Sequence, residues 1–371
     1  MIKIFHTGDN HLDSSFSRLS LSERERERVR QRELFEKMMS YVSDGGYDLV
    51  LISGDLFDSP EVSPETEEML INAFARLSCP VVISPGNHDP YSQTELYSSG
   101  RLPENVYVFS SKELQVFELD SLSVSVCGYA FTSDEYSSTP LSEIPLGDDL
   151  GIKILCAHGE LGVAASKYAP ISEADLLANG FAYAALGHLH KIAEPIKIGK
   201  GIAAYCGFPE GRAFDEEGLG GAMSVVIDED KVVAERVIFA ERRYLYDELD
   251  VSGAVNDKEL IDMISAYITE KGYDNNTALR LTVSGTLSID YTLNKSLVER
   301  VAEESLMRFE LIDETVPDID VKSLENDYTL KGEVYRVLRP RLESNDADEQ
   351  RKAYEALKIA LLAIEGRRIS Y

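Results

Sequence analysis

The chain has no apolar run long enough to span a bilayer, which excludes a transmembrane helix. Its opening, Met1-Ile2-Lys3-Ile4-Phe5, lacks the basic start, long apolar core and cleavage site of a secretory leader, so a cytoplasmic protein is expected. Cysteine is scarce. Cys79, Cys127, Cys156 and Cys206 are scattered without CxxC spacing, each in or beside an apolar run. That argues against a disulfide framework or a zinc finger, and for small buried thiols in a reducing compartment. Positive charge is also in short supply: 37 Lys and Arg face 65 Asp and Glu, for a net charge of −28. Phosphate backbones bind basic surfaces, so composition alone disfavours an unaided grip on nucleic acid. The acid excess is present in both halves, and solubility accounts for most of it. In one local run Arg24, Arg26, Arg28, Arg30 and Arg32 alternate with Glu23, Glu25 and Glu27. On a helix Arg24, Arg28 and Arg32 share a face, and a salt-bridged solvated helix is the expected reading, ahead of a phosphate contact. There is no internal repeat and no low-complexity tract.

What is present is ordinary for a globular protein: 371 residues, 44% hydrophobic and 27% charged. The length predicts one large domain with a smaller one, or two to three domains. The first two thirds alternate strands and helices. Ile2 to Phe5, Leu49 to Ile52 and Val81 to Ile83 read as buried strands. Between them, Ser22 to about Val42 reads as a helix with a Ser22/Glu25 capping box and an end at Gly45-Gly46, and Pro64 to Leu77 as a second. That run predicts a parallel sheet with helices on its faces. After residue 100 the pattern predicts a mostly antiparallel half, including hairpins over Ile196 to Tyr205 and over Met223 to Phe239, the latter turning at Asp228-Glu229-Asp230. Two packed sheets flanked by helices follow, an α/β (α+β) fold. From about Tyr244 a small α+β module is expected, then a polar stretch from Thr315 to Asn326. Two helices follow it: one stopping at Pro340, the other running from about Ala347 to Glu365. The domain boundaries are placed at 1–243, 244–320 and 321–371.

The chemistry sits at strand ends. All six histidines fall in or beside polar breaks after apolar runs, with carboxylates, Asn or Gly beside them. In order these are Asp9-Asn10-His11, Gly54-Asp55 with Asp58, Gly86-Asn87-His88-Asp89, His158-Gly159 and Gly187-His188-Leu189-His190. Asp9 and His11 are two residues apart and can converge on one ion from an irregular turn; His188 and His190 repeat that spacing, with Gly187 giving the loop room to bend. Asp55 has two oxygens and can bridge, and Asn87 offers a neutral carbonyl. A mixed imidazole and oxygen set suits manganese, iron or zinc better than magnesium or calcium. His6 is expected to be structural or to support a ligand. One such histidine alone would mean little, but the ordered set makes a metal site the expectation, and a metal pair is suited to hydrolysing phosphate esters.

The motif series D-x-H, G-D, G-N-H-D, H and G-H-x-H resembles that of the calcineurin-like metallophosphoesterases and covers about residues 1 to 240. Within them the chain is most similar to SbcD-type and YhaO-type DNA repair exonuclease subunits. The residues that carry this are Phe5-His6-Thr7-Gly8-Asp9-Asn10-His11-Leu12, Ile52-Ser53-Gly54-Asp55-Leu56-Phe57-Asp58, and Cys206-Gly207-Phe208-Pro209-Glu210-Gly211-Arg212 followed by Glu217-Gly218-Leu219-Gly220-Gly221. Cys206 and Gly220 depart from the related pattern, which weakens a phosphate-gripping role for the segment that holds Arg212. Asp58 stands where some relatives have a histidine.

The resemblance implies a β-sandwich flanked by helices, a small capping domain and C-terminal helices. It implies two divalent metals, most simply Mn²⁺ with Fe or Zn as alternatives. Asp9, His11, Asp55 and His190 would hold one, and Asp55, Asn87, His158 and His188 the other. It implies that His88 binds the scissile phosphate or protonates the leaving oxygen, with Asp55 as the shared catalytic carboxylate. His6, Asp58, Asp89 and Arg212 are left as supporting or uncertain positions. The implied activity is metal-dependent hydrolysis of DNA phosphodiesters in repair, by a water activated by the metal pair. The implied partners are DNA, an SbcC-like or YhaN-like coiled-coil ATPase and a second copy of the chain, with no membrane. The competing readings are a phosphatase or a small-molecule (cyclic nucleotide) phosphodiesterase using the same site, and a non-catalytic scaffold that keeps the fold.

Overall fold

Ile4 and Phe5 are adjacent and both fully buried, because successive side chains of one strand enter different cores. A strand buried on both faces must lie inside a layered structure, and the computed structural model shows the layers. It describes residues 1–142, 147, 150–229 and 231–367. The chain divides into two compact units, Met1–Glu241 and Arg242–Tyr371.

The first unit begins with β1 (Ile2–Thr7), α1 (Leu21–Gly45), β2 (Leu49–Ile52), α2 (Pro64–Ala75), β3 (Val81–Ile83), α3 (Glu95–Ser98) and β4 (Val106–Val108). It continues with β5 (Gln115–Leu119), β6 (Val124–Gly128), β7 (Ile152–His158), α4 (Glu173–Asn179) and β8 (Tyr183–Gly187), then β9 (Ile196–Ile198), β10 (Gly201–Tyr205), β11 (Gly221–Asp228) and β12 (Lys231–Ile238). One sheet has the order β12-β11-β1-β2-β3-β4 and the other β5-β6-β7-β8-β10-β9. Ile4, Leu49, Leu51 and Val82 of the first meet Val126, Ile154, Cys156 and Tyr183 of the second in the shared core. Outside, Phe5, Val50 and Ile52 pack on Phe35, Met38 and Val42 of α1 and on Phe74 of α2, while Leu155 and Ala184 pack on Leu176 of α4. This is the helix-flanked sandwich of the expected mixed α/β class.

The second sheet is not mostly antiparallel, contrary to expectation. Its central strands β6, β7, β8 and β10 run parallel, and only the flanking pairs β5–β6 and β9–β10 are antiparallel. The long connections after β6 and β7 are crossovers, and β6 and β8 are buried along their whole length, as parallel strands require. The β11–β12 hairpin joins the first sheet, with β11 antiparallel to β1. Of its expected turn, Asp230 lies outside the described residues.

Helix α1 starts one turn-signal early. Glu23 accepts from the Ser20 backbone N–H at 2.9 Å, so the Ser20/Glu23 pair forms the box in place of Ser22/Glu25. The arginine face is only partly a solvated salt-bridge lattice. Arg32 does pair with Glu25 at 2.9 Å, but Arg24 donates to the carbonyls of Leu19 and Ser17, and Arg28 to that of Ser14. Gln31 adds a bond to the His11 carbonyl at 3.0 Å, so this face braces the loop that follows β1. All four cysteines are buried and free.

The second unit holds β13 (Arg243–Asp250), α5 (Asp257–Lys271), β14 (Thr277–Ser284), β15 (Thr286–Ser288), α6 (Lys295–Ala302), β16 (Arg308–Asp313) and β17 (Val316–Asp318), then α7 (Val321–Glu325), α8 (Leu330–Leu342) and α9 (Ala347–Ile364). The parallel sheet β13-β14-β16 packs Leu279, Leu281 and Val283 against Leu260, Ile264 and Val298 of its helices. The stretch 315–326 is not simply polar linker, since β17 and α7 form there. Pro340 does not stop α8, which continues to Leu342. At the last turn the proline's missing N–H forfeits one bond, and Glu343 still donates to Arg339 across it. Leu357 and Leu361 of α9 join Tyr335 and Leu342 of α8 in a core with Ile289 and Ile319, and Lys358 donates to the Tyr291 carbonyl at 3.0 Å. The C-terminal helices therefore pack on their own unit. Among the described residues no helix is long and apolar enough to cross a membrane.

Candidate metal centre

Parallel strands of both sheets deliver their carboxyl ends to one place, the usual location of sites in α/β sheets. Asp9 and His11 follow β1, Asp55 follows β2, and Asn87 and His88 follow β3. His158 ends β7, and His188 and His190 follow β8. The loops hold one another: Asp9 N–H donates to the Gly54 carbonyl at 2.9 Å and His11 N–H to the Asp55 carbonyl at 3.0 Å. Asp9, His11, Asp55 and His188 all have positive φ, at 48°, 44°, 47° and 101°. Non-glycine residues pay for that conformation, and such strain clusters where side chains must be aimed. Two glycines are required by space. A Cβ on Gly54, itself at φ 91°, would sit 2.3 Å from His158 Nδ1, and one on Gly187 would sit 2.0 Å from the Ser53 carbonyl oxygen. Gly187 thus permits close approach of two strand ends, and the positive φ falls on the next residue, His188.

The side chains converge in two groups about one carboxylate. Ligand-type atoms of Asp9, His11, Asp55 and His190 all lie within 4.8 Å of one another. His11 Nε2 is 3.0 Å from His190 Nε2 and 3.6 Å from Asp55 Oδ2, and His190 Nε2 is 3.5 Å from Asp9 Oδ1. On the other side, His158 Nε2 is 3.4 Å from the same Asp55 Oδ2, 3.0 Å from Asn87 Oδ1 and 3.3 Å from His188 Nδ1. Asp55 Oδ1 is occupied elsewhere, accepting from the His88 N–H at 2.9 Å. One oxygen of Asp55 therefore faces imidazoles on both sides.

Each imidazole of the cluster turns one nitrogen outward, toward an oxygen of the surrounding shell, and the other toward the centre. His11 Nδ1 faces Asp58 Oδ1 at 3.2 Å, and His190 Nδ1 faces Glu216 Oε1 at 2.9 Å. His158 Nδ1 donates to the Ser53 carbonyl at 3.0 Å, and His88 Nδ1 to the Asp58 carbonyl at 3.0 Å. His188 reverses the pattern. Its Nε2 points to Glu160 at 3.6 Å while Tyr168 lies over its ring at 4.5 Å, so Nδ1 points inward. This donor set, four imidazole nitrogens, two carboxylates and one amide oxygen, fits divalent cations: a candidate two-metal site.

The charges agree with that fit. Burial works against ionising Asp55, but the imidazoles of His158, His11 and His88 hold its carboxyl below the usual range. Burial lowers His11, with Arg212 adding to the effect, and burial with His158 brings His188 down to about 4. Burial thus works against the charged form of both rings. Burial also opposes charge on His190, yet Asp9 and Glu216 on either side raise it to about 10. The pocket around His190 is rich enough in negative charge to call for a cation.

His88 is exposed beside the buried cluster, 4.7 Å from His11 between ring centroids. His6 lies apart. Its Nδ1 is 2.7 Å from the Tyr183 hydroxyl and its Nε2 is 2.9 Å from Ser53 Oγ, behind the strand end that presents Asp55. Asp89 points away too, taking N–H bonds from Leu56, Phe57 and Gly86 and the Tyr97 hydroxyl, and so ties two of the loops together. Burial with the nearby Asp55 raises it to about 7. Arg212 reaches Asp58 at 3.2 Å and Glu216 at 2.5 Å, and its Nη2 lies 3.4 Å from His190 Nδ1.

Residues 2–191 match the calcineurin-like phosphoesterase family. The chain belongs to that family. It is a phosphoesterase, a hydrolase acting on phosphoester bonds in a family that binds divalent metals. Among curated proteins the phosphoesterase is 25% identical over 350 residues to the uncharacterized metallophosphoesterase YhaO of Bacillus subtilis (strain 168), an alignment covering 87% of this chain and 84% of that one. It is 24% identical to the SbcD component of the nuclease SbcCD from the same organism, over 61% of this chain and 66% of that one. It is 29% identical to the DNA double-strand break repair protein Mre11 of Aeropyrum pernix, over 51% of this chain and 49% of that one. The SbcD/YhaO-type resemblance stands on these relatives.

Sequence reasoning missed Glu216, Glu160, Tyr168 and the Ser53 carbonyl. Glu160 follows His158-Gly159 directly and could have been found from that adjacency. Glu216 sits next to Glu217 in an acidic run, and only the fold separates them: Glu216 is 1% exposed, and its neighbour is exposed.

Proposed function

We propose that this phosphoesterase is the nuclease component of an SbcD/YhaO-type DNA repair enzyme that hydrolyses DNA phosphodiesters. The observation that carries the reading is the shared Asp55 oxygen, 3.6 Å from His11 Nε2 and 3.4 Å from His158 Nε2. Asp9, His11, Asp55 and His190 would hold one cation, and Asp55, Asn87, His158 and His188 the second. The mixed imidazole and oxygen set suits manganese, iron or zinc, and manganese is proposed as the native metal with iron or zinc as the alternatives. Bound cations supply Lewis acidity, lowering the pKa of water and neutralising charge on the phosphoryl oxygens. The protein's own groups do the rest. His88 is exposed, with Nδ1 fixed on the Asp58 carbonyl and Nε2 free to bind the phosphate or protonate the leaving oxygen.

Residues 244–320 would act as a cap that selects DNA shape, and residues 321–371 as the segment that docks a coiled-coil ATPase of SbcC or YhaN type. That partner would supply the basic surface that a chain of net charge −28 lacks. The exposed Leu330 and Val337 on α8 support such docking. A homodimer and a cytoplasmic location complete the proposal. The acidic composition also favours a second reading, a phosphatase or cyclic-nucleotide phosphodiesterase using the same residues. Manganese-dependent hydrolysis of single- and double-stranded DNA, compared with p-nitrophenyl phosphate and its bis ester, separates them. The nuclease reading expects DNA and the bis ester to be cleaved, and cleavage of the mono ester alone contradicts it.

A further inference from the structure

Two of the imidazoles at the centre are tied to each other through a closed ring of side chains. From His11 Nδ1 the ring passes to Asp58 Oδ1 at 3.2 Å, then to Arg212 Nη1 at 3.2 Å. From Arg212 Nη2 it passes to Glu216 Oε1 at 2.5 Å, then to His190 Nδ1 at 2.9 Å. It closes across the site, where His11 Nε2 and His190 Nε2 are 3.0 Å apart.

We infer that Arg212 and Glu216 are positioning residues for one of the two metal pockets, the one bounded by Asp9, His11, Asp55 and His190. The inference rests on the ligand assignment proposed above. A guanidinium is a rigid planar fork, so it fixes the separation of the two carboxylates it binds. Each carboxylate then stands against the outward nitrogen of one imidazole, Asp58 at 3.2 Å from His11 and Glu216 at 2.9 Å from His190, and limits how that ring can turn. Both arms come from one short segment: the Arg212 backbone N–H donates to Glu216 Oε2 at 2.7 Å and the Glu216 N–H to the Ala213 carbonyl at 3.1 Å. A second handle runs from Arg212 Nη1 to Ser14 Oγ at 3.1 Å, and from that hydroxyl to the His11 carbonyl at 2.7 Å.

Among the described residues the other pocket has no such ring. His158 is held by a backbone carbonyl and His188 by Glu160, which is 3.6 Å away and 21% exposed. The two pockets thus differ in how firmly their imidazoles are set, and loss of the ring acts on one of them.

The test is calorimetric titration of the full-length protein with Mn²⁺, alongside electron paramagnetic resonance of the bound ion. Wild type should bind two ions and give a spin-coupled pair. Glu216→Ala and Arg212→Met should weaken one binding step by about 10–100-fold, leave the other near its wild-type value, and replace the coupled signal by that of a single ion. Glu216→Gln, which keeps an oxygen for His190 Nδ1–H, should recover much of the lost affinity. Should Glu216→Ala lose its circular dichroism, Glu216→Asp reads the same step: it keeps the charge for Arg212 but withdraws the carboxylate from His190. Folded variants in which both steps are unchanged, or both fall equally, overturn the inference. Failure of the wild type to bind two ions would instead overturn the ligand assignment beneath it.

Discussion

The imidazoles of His11 and His190 face each other Nε2 to Nε2 at 3.0 Å, with their rings crossed at 71°. Both Nδ1 atoms face carboxylates, Asp58 at 3.2 Å and Glu216 at 2.9 Å, so with the ring protons on Nδ1 two lone pairs meet unless a positive charge stands between them. The nearby carboxylates of Asp9 and Glu216 raise His190 to about 10, the same demand for a cation expressed in protons. Metal binding should therefore stabilise the fold. At 100 times the dissociation constant the gain is about 2.7 kcal/mol, a rise of several degrees in Tm, reversed by chelator. Asp55→Asn should lose most of that gain, because its oxygen serves both groups. A thermal melt with and without Mn²⁺ checks both, and an unchanged Tm in the wild type counts against the site.

In the proposed mechanism His88 is the group that meets substrate. His88→Ala should lower kcat by about 10²–10⁴-fold. Its Mn²⁺ titration should match wild type, since its ring packs edge-on against His11 but supplies none of the proposed ligand atoms. Full activity in the variant, measured on DNA and on bis-p-nitrophenyl phosphate, removes the assigned role.

His6 makes stability depend on pH. Burial, then the charge of Arg236, lowers it from 6.5 to about 3. The unfolded chain therefore takes up this proton first as pH falls below about 6.5, and the folded state loses ground down to about pH 3. The slope from this one group is at most ~1.4 kcal/mol per pH unit. His6→Gln should be less stable at neutral pH and show a shallower acid limb in urea melts between pH 6.5 and 4. Parallel acid limbs in the two proteins would show that His6 is not the group responsible.

Gly54→Ala should be among the most damaging small substitutions. Its φ of 91° is strained for any side chain, and the new methyl would meet His158 Nδ1 at 2.3 Å. Strain alone costs roughly 1–3 kcal/mol. The expected result is a lower Tm together with loss of Mn²⁺ binding, because His158 must move. Wild-type affinity in the variant would mean that His158 is not a ligand.

The sandwich was legible because Leu49 to Ile52 and Val81 to Ile83 are fully apolar, and only strands covered on both faces read so. The site motifs were legible because polar residues at strand ends stand out against such runs. Strand direction in the second sheet was not, because β6, β7 and β8 are as apolar in a parallel as in an antiparallel arrangement. Ser20/Glu23 and Ser22/Glu25 carry the same capping signal, and tertiary contacts of the 14–19 loop with Arg24 and Arg28 select the first. The Asp58–Arg212–Glu216 ring spans more than 150 positions of chain, so no local pattern could disclose it. Of its members only Glu216 lay outside the motifs that drew attention.

The most direct test is anomalous scattering from crystals soaked in Mn²⁺. Two peaks are expected on either side of Asp55 Oδ2, one among Asp9, His11 and His190 and one among Asn87, His158 and His188. No peak at either place, or ions bound away from Asp55, would contradict the two-metal account.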